Sequence, residues 1–410
     1  MINLQGTKNN YTNALLAAAI FCCGSCNNAT EQHTVSENLD TLNYTVEAAP
    51  EWDAMFNRKH GWFGGDGIFS IPLNGVDTFS STDTATVAFL FSDSMIGDIE
   101  NDSLQPGYSM IHNSVALLKG RQPADSNISF EYVKEPGNKP GTLFTPAMPP
   151  AEKGDIYWLG DGFVNTALDS SLFIFGYIIH NTTDNDWGFA ETGNMLIEIP
   201  KNSKPPYTNY TQTPTPFFIK GASDTASDQG SFGAGIFVNT KEAGISNGDG
   251  YVYVYGVRGK QKNVMAARVK PAQFKQFDEW TFFDGTNWVK DITKAAAITD
   301  SASNELSVTP LPDGRYIMVF TVNGLGYDVG IRVGKSPVGP FGKVMKIWNS
   351  DTLKSMSKQI FSYNAKAHPA LSKPGELLIS YNVNSFDFHK EIKQFPDLYR
   401  PRFIRLKIEP

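Results

Sequence analysis

The sequence is short of the features that mark several large protein classes. All three of its cysteines, Cys22, Cys23 and Cys26, fall within the first 26 residues, so the rest of the chain has neither a disulfide nor a thiolate metal site. The six histidines show no HxxxH spacing, and a zinc site would need ligands from distant parts of the chain. No run of lysine or arginine occurs, and the formal net charge is -7. A nucleic-acid binder carries a basic face, so that partner class is excluded. Neither a glycine-rich phosphate loop nor a serine nucleophile elbow is present, which leaves kinase and esterase chemistry without support. Long hydrophobic runs are also missing: Leu172 to Ile179 stops after eight residues, too short to cross a bilayer.

What is plentiful is aromatic side chains, at 12%, together with 36 Gly and 24 Pro, against only 19% charged residues. That balance predicts strands and turns rather than helices. It also suits a sugar-binding surface, because flat rings pack on the apolar faces of pyranose and furanose rings. With 410 residues a sizeable core is available, and large closed all-β architectures reach this size as one unit.

The first residues read as an export signal. Lys8 precedes the apolar run Ala14 to Phe21, then Cys22-Cys23-Gly24-Ser25-Cys26 and a polar stretch, the basic, apolar and small-residue order of such signals. Small residues directly before a cysteine resemble a bacterial lipoprotein signal in which Cys26 is lipidated. The expected organisation is a signal peptide over residues 1–26, a flexible tether over 27–45 and one folded domain over 46–410. The expected location is the bacterial cell envelope, outer membrane or periplasm, with contact to the membrane through the lipid anchor only.

From residue 64 onward a unit recurs. It consists of a small-residue strand carrying one polar group, an alternating aromatic and apolar strand, a third strand and an edge strand. The copies open at GGDGIFSIPL (Gly64 to Leu73), WLGDGFVNTAL (Trp158 to Leu168), FGAGIFVNT (Phe232 to Thr240), NELSVTPL (Asn304 to Leu311) and NAKAHPALS (Asn364 to Ser372). In the second copy PFFIKG (Pro216 to Gly221) is expected as the edge strand. The last copy lacks a fourth strand, which TLNYTVEA (Thr41 to Ala48) can supply, closing the open edges. The expected fold is therefore all-β: a five-bladed β-propeller with the N-terminal strand closing the last blade. A double-sheet sandwich is the alternative, but it does not predict one strand order recurring five times.

In a propeller the first strand of each blade lines the axis, so Asp66, Asp161, Glu305 and His368 are expected to converge at one end of the channel. Asp93 stands at the end of the apolar run Val87 to Phe91, where a carboxylate is costly unless hydrogen-bonded or used. Carboxylates sharing a site push their pKa values apart, so one stays protonated as an acid while its partner is ionised. Glycosidic bond cleavage uses that division of labour. His368 is a candidate to orient a carboxylate or bond a sugar hydroxyl. Trp62, Trp158, Tyr255 and Tyr363 are candidates for stacking on sugar rings, and Arg402 for pairing with an axial acid. No metal ligand set is expected, although the acids and carbonyls of the channel leave calcium possible.

These motifs resemble bacterial families filed under domain of unknown function 4185 and its relative 5005. The resemblance runs over about residues 55 to 408. It rests on the glycine-aspartate opening, FSDS (Phe91 to Ser94), WLGDG, SNELSVT (Ser303 to Thr309), YNAKAHPALS, ISYNVNS and YRPRFIRL. It implies a five-bladed propeller and a carbohydrate-active protein, since relatives act on D-arabinan-type glycans. Asp66 stands at the family's GGDG position and Asp93 at its FGDS position, with Ser92 in place of the glycine. Asp161 fits the GDG element, and Glu305 the SNE element, where Leu306 replaces phenylalanine. His112-Asn113 falls where the family carries Asn-Asn, which makes Asn113 a substrate-binding candidate. The expected function is a cell-envelope glycoside hydrolase cleaving a furanosidic or related linkage with paired carboxylates and no cofactor. The alternatives are a non-catalytic glycan-binding propeller and a lyase working through His368.

Overall fold

The computed structural model describes residues 38–183, 187–221 and 228–409. The expected signal peptide and Cys26 lie outside them. Two short helices, Pro50–Met55 and Phe388–Gln394, stand among many antiparallel strands. No helix among the described residues is long and apolar enough to cross a membrane.

Five sheets follow one another along the chain. The first orders Phe69–Pro72, Thr86–Phe91, Ser114–Lys119 and Ile128–Glu131, and the second Ile156–Asn165, Ser171–Asn181, Phe189–Ile199 and Thr211–Pro214. The third is built on Gly230–Asn239, Tyr251–Arg258, Asn263–Val269 and Thr281–Phe283, with Phe218–Ile219 and Trp288–Val289 at its two edges. The fourth holds Leu306–Pro310, Tyr316–Thr321, Asp328–Gly334 and Met345–Asn349. In the fifth, Ile360–Ala367, Glu376–Ser385 and Arg402–Ile408 are completed by Tyr44–Ala48, which pairs antiparallel with the last strand from Tyr44 opposite Ile408 to Ala48 opposite Ile404. A further sheet, His60–Gly65 with Ser94–Glu100 and two shorter strands, is inserted within the first repeat.

The strands read as nearly continuous apolar runs because both faces of each sheet are covered. Ile71, Leu90 and Val115 of the first sheet pack with Tyr157, Ile174 and Ile197 of the second. Phe173 and Phe175 meet Val254 and Met265 of the third, and Tyr253 and Tyr255 meet Leu306 and Phe320 of the fourth. Val319 and Ile331 meet Ile379 and Ile404 of the fifth, whose Leu378 and Phe403 return to Val87 and Phe89 of the first. Each of these side chains stabilises the fold by about 1.5–3 kcal/mol through burial. Their inner strands are also bonded sheet to sheet, as by the Ile236 amide on Asp161 Oδ2 (2.7 Å) and the Ala367 amide on Ser307 Oγ (2.8 Å).

Three expectations need correction. GGDGIFSIPL is not one strand: it breaks at Asp66-Gly67-Ile68 between two sheets, with Gly67 at φ 86°, a conformation open to glycine at little cost. The edge of the second sheet is Thr211–Pro214, and the expected PFFIKG gives its strand, Phe218–Ile219, to the third sheet, because Thr215 to Phe217 turns the chain across. Residues 38 to 43, expected in a flexible tether, are docked. Arg315 Nη1 donates to the carbonyls of Asn38 and Thr41, and the Lys343 amide donates to Asp40.

Candidate active site

The inner strands do not run evenly. Register shifts interrupt Ile156–Asn165 between Leu159 and Gly162, Gly230–Asn239 between Phe232 and Gly235, and Ile360–Ala367 between Tyr363 and Lys366. Such bulges re-aim side chains and are common beside active sites. Here they fall at Asp161 and at Asn364, the latter with φ 56°.

Asp66 and Asp93 stand side by side because their backbones are bonded. The Ser92 amide donates to the Asp66 carbonyl (2.9 Å) and the Asp66 amide to the Asp93 carbonyl (3.2 Å). Gly64 lets this segment pass against Tyr399, since a Cβ there would collide with the Tyr399 carbonyl. Asp66 Oδ2 accepts the Tyr363 hydroxyl at 2.6 Å, Oδ1 is enclosed, and the Tyr399 side chain also acts on the carboxyl as a hydrogen-bond partner. Burial, then the neighbouring Asp93 charge, pushes the Asp66 carboxyl up to about 7, against the opposing pull of Tyr363, Tyr399 and Lys366. Asp93 is more open, with its side chain 20% exposed, and its Oδ1 lies 3.1 Å from His112 Nδ1.

Glu305 enters from the fourth sheet. Its Oε1 accepts from Asn364 Nδ2 (2.8 Å), its Oε2 pairs with the Lys366 ammonium, and Lys366 also donates to the Gly67 carbonyl beside Asp66. Burial raises the Glu305 carboxyl to about 8 despite that lysine. Burial likewise lowers the Lys366 ammonium, while Glu305, Asp161 and Asp66 hold it up. Asp161 is pushed by burial to about 7, yet both of its oxygens accept backbone amides, from Gly162 at 2.8 Å and Ile236 at 2.7 Å. One buried ammonium thus pairs with Glu305 and also feels Asp161 and Asp66, and Asp93 pairs with His112 on the more exposed side.

Several expected ligand contacts are scaffold instead. His368 is 0% exposed, with Nδ1 on Ser70 Oγ and Nε2 on Ser380 Oγ, both at 2.8 Å, and burial lowers it to about 3. It is a neutral staple between the fifth and first sheets. Asn113 clamps Phe144 N and O and the Tyr157 carbonyl. Trp62 is enclosed in the core, stacked on Phe130 at 4.4 Å, and Tyr255 is spent on the Pro337 carbonyl. Arg402 pairs with no axial acid: it donates to the carbonyls of Arg400 and Asp397. Trp158 is part-buried, edge-on to Phe189 at 4.6 Å. The residues that sequence reasoning missed are Lys366 and Glu191. Glu191 is raised to about 8 by burial and raises Tyr177, which also feels Glu305 and Asp161. Lys366 lay within the quoted YNAKAHPALS; a lysine in an apolar strand was the available signal. Among the described residues no cluster of three or more histidine, cysteine or acidic side chains is arranged to hold a metal ion.

The family model for the domain of unknown function 5005 matches residues 50–408. The chain belongs to that family. No curated protein matches the sequence. Among solved structures, a Bacteroides ovatus protein provisionally assigned as a hydrolase is similar with a TM-score of 0.65 and 22% identity, over 88% of this chain and 90% of that one. This likeness shows a shared fold. An exo-β-1,3-galactanase from Phanerochaete chrysosporium gives 0.41 at 12% identity, over 85% of this chain and 60% of its own. An α-L-arabinofuranosidase from Podospora anserina gives 0.41 at 11%, over 86% and 98%.

Proposed function

We propose that this member of the family is a glycoside hydrolase whose reacting pair is Asp66 and Asp93. The observation that carries the reading is the contrast built into two carboxyls bonded through their backbones. Asp66 is enclosed and held protonated near neutral pH; Asp93 is open and paired with His112. Asp66 donates its proton to the departing glycosidic oxygen as that bond breaks, a water oxygen bonds the anomeric carbon, directly or by way of an Asp93 ester, and the water's proton passes to the carboxyl pair. Burial and the Asp93 charge keep Asp66 protonated, and Tyr363, Tyr399 and Lys366 oppose them. With an ammonium already among the acids, the site works without a calcium ion or other cofactor.

In this reading the five sheets are the blades of a five-bladed propeller spanning 46–410, and the substrate is a polysaccharide with a furanosidic or related linkage. The D-arabinan-type substrates and the kinship with family 4185 rest on the motif resemblance. The chain is exported and anchored in the cell envelope through Cys26.

The test is release of reducing ends from a panel of arabinans, galactans and other polysaccharides by the purified chain. Wild-type protein is expected to cleave at least one, and Asp66→Asn and Asp93→Asn to cleave it at least about 10²-fold more slowly. Equal rates in both variants and wild type would remove the assignment. Radiolabelled fatty acid incorporation lost in Cys26→Ala tests the anchor.

A further inference from the structure

The aromatic side chains near Asp66 form a connected row that leads from the carboxyl to solvent. Tyr363, whose hydroxyl is bonded to Asp66, lies 5.5 Å ring to ring from Phe361. Phe361 is 4.6 Å from Phe386 and 6.0 Å from Trp187, and Trp187 and Phe386 are 5.3 Å apart at 46°. The first two rings are buried, but Trp187 is 43% and Phe386 51% exposed. Such exposure of large apolar groups usually marks a contact surface.

The row is assembled from two sheets. Phe361 and Tyr363 are two residues apart on one strand of the fifth sheet, hence on one face. Phe386 follows the next strand and is fixed by its amide on the Gln359 carbonyl (3.1 Å). Trp187 comes from the turn that precedes Phe189–Ile199 of the second sheet, beside Gly188, whose carbonyl accepts from the Thr182 amide at 2.7 Å. A turn of the second sheet thus reaches the rings of the fifth. Asn384, beside the row, donates to the Tyr363 hydroxyl at 3.4 Å, placing an amide next to the rings.

We propose that Trp187 and Phe386 form an aromatic ledge that stacks on a sugar ring of the substrate at a position removed from the cleaved bond. The substrate class is then an oligosaccharide or polymer, not a simple monosaccharide glycoside. This inference rests on the glycan-directed reading above. The physical basis is the pairing of apolar sugar faces with aromatic rings, continuous here with the tyrosine that holds Asp66. Two half-exposed side chains present far less than the roughly 800 Å² per partner of a stable protein interface, which disfavours a second copy of this chain as the occupant.

The experiment titrates arabinan and β-1,3-galactan, and their oligosaccharides of increasing length, into the intact chain and into Trp187→Ala and Phe386→Ala. It reads Kd, KM and kcat, with thermal melting and molecular mass as controls. Each variant is expected to weaken polymer binding about tenfold, the upper range of one aromatic contact, with the loss in KM and with kcat on a short chromogenic glycoside unchanged. Tryptophan emission should change on glycan binding in wild type and not in Trp187→Phe. Loss of binding without any turnover supports the ledge while the hydrolase assignment fails. Turnover with the same KM in wild type and both variants overturns the ledge alone. A dimer that dissociates in the variants while glycan affinity holds also overturns it.

Discussion

Two groups of buried polar side chains stand in or beside the strands, and they differ in how fully they are used. His368 and Asn113 spend their polar atoms on named partners across sheet boundaries. Asp66 and Glu305 are enclosed with one ammonium, Lys366, which pairs with Glu305, whereas Asp161 belongs with the saturated group, both of its oxygens accepting backbone amides. A saturated buried group fixes geometry, whereas an under-compensated one keeps a proton at neutral pH and can give it away. Both groups look alike in sequence, as polar residues in apolar strands. The difference is in the partners.

The largest expected effect breaks the comparison on the acid side. Asp66→Asn should lower turnover by about 10²–10⁴, the usual contribution of a general acid, with an unchanged circular dichroism spectrum. A loss confined to KM would place Asp66 among binding groups instead. Next is Lys366→Met, which leaves Glu305 buried without its counter-ion and should cost about 3–5 kcal/mol in urea unfolding. Adding Glu305→Gln should recover most of that loss; failure to do so would mean that Lys366 acts mainly through the Gly67 carbonyl.

On the saturated side, Asn113→Ala should cost about 1–3 kcal/mol, because the Phe144 amide and carbonyl lose their partner, while kcat of the folded protein stays at the wild-type value. A fall in kcat would return Asn113 to the substrate-binding set. The smallest effect is in pH dependence. Asp66 has a folded value of about 7 against an ordinary 3.8, so the folded state binds the extra proton and the stability it contributes is present in acid and lost as pH rises through about 7. Asp66→Asn should therefore flatten the fall in Tm between pH 5 and pH 8. A wild-type slope kept in the variant would assign the effect to Asp161 or Glu305, which shift in the same direction.

The recurring strand order was legible because inner strands covered on both faces must be apolar, and Tyr44–Ala48 was legible as the partner of the last strand because the fifth repeat was one strand short. The acids were legible through glycine, which is needed where Asp66 and Asp161 stand at breaks and bulges. His368 misled because Ala-His-Pro has the look of an exposed turn, whereas Ser70 and Ser380 come from distant segments to satisfy it. The bulge at Asn364 hid Lys366. Strict alternation assigns the strand's two faces by residue parity, and one extra residue reverses that assignment beyond it.

The sequence by itself determined the recurring strand order, which chain end completes the fifth sheet and which acids carry glycine beside them, since these follow from local pattern and backbone freedom. Only the tertiary structure decided which polar groups are satisfied. It set Lys366 among Asp66, Asp161 and Glu305, paired His112 with Asp93, and brought Trp187 to Phe361 and Phe386. The free energy of a buried charge depends on neighbours within a few ångströms, and the fold draws those neighbours from segments remote in sequence.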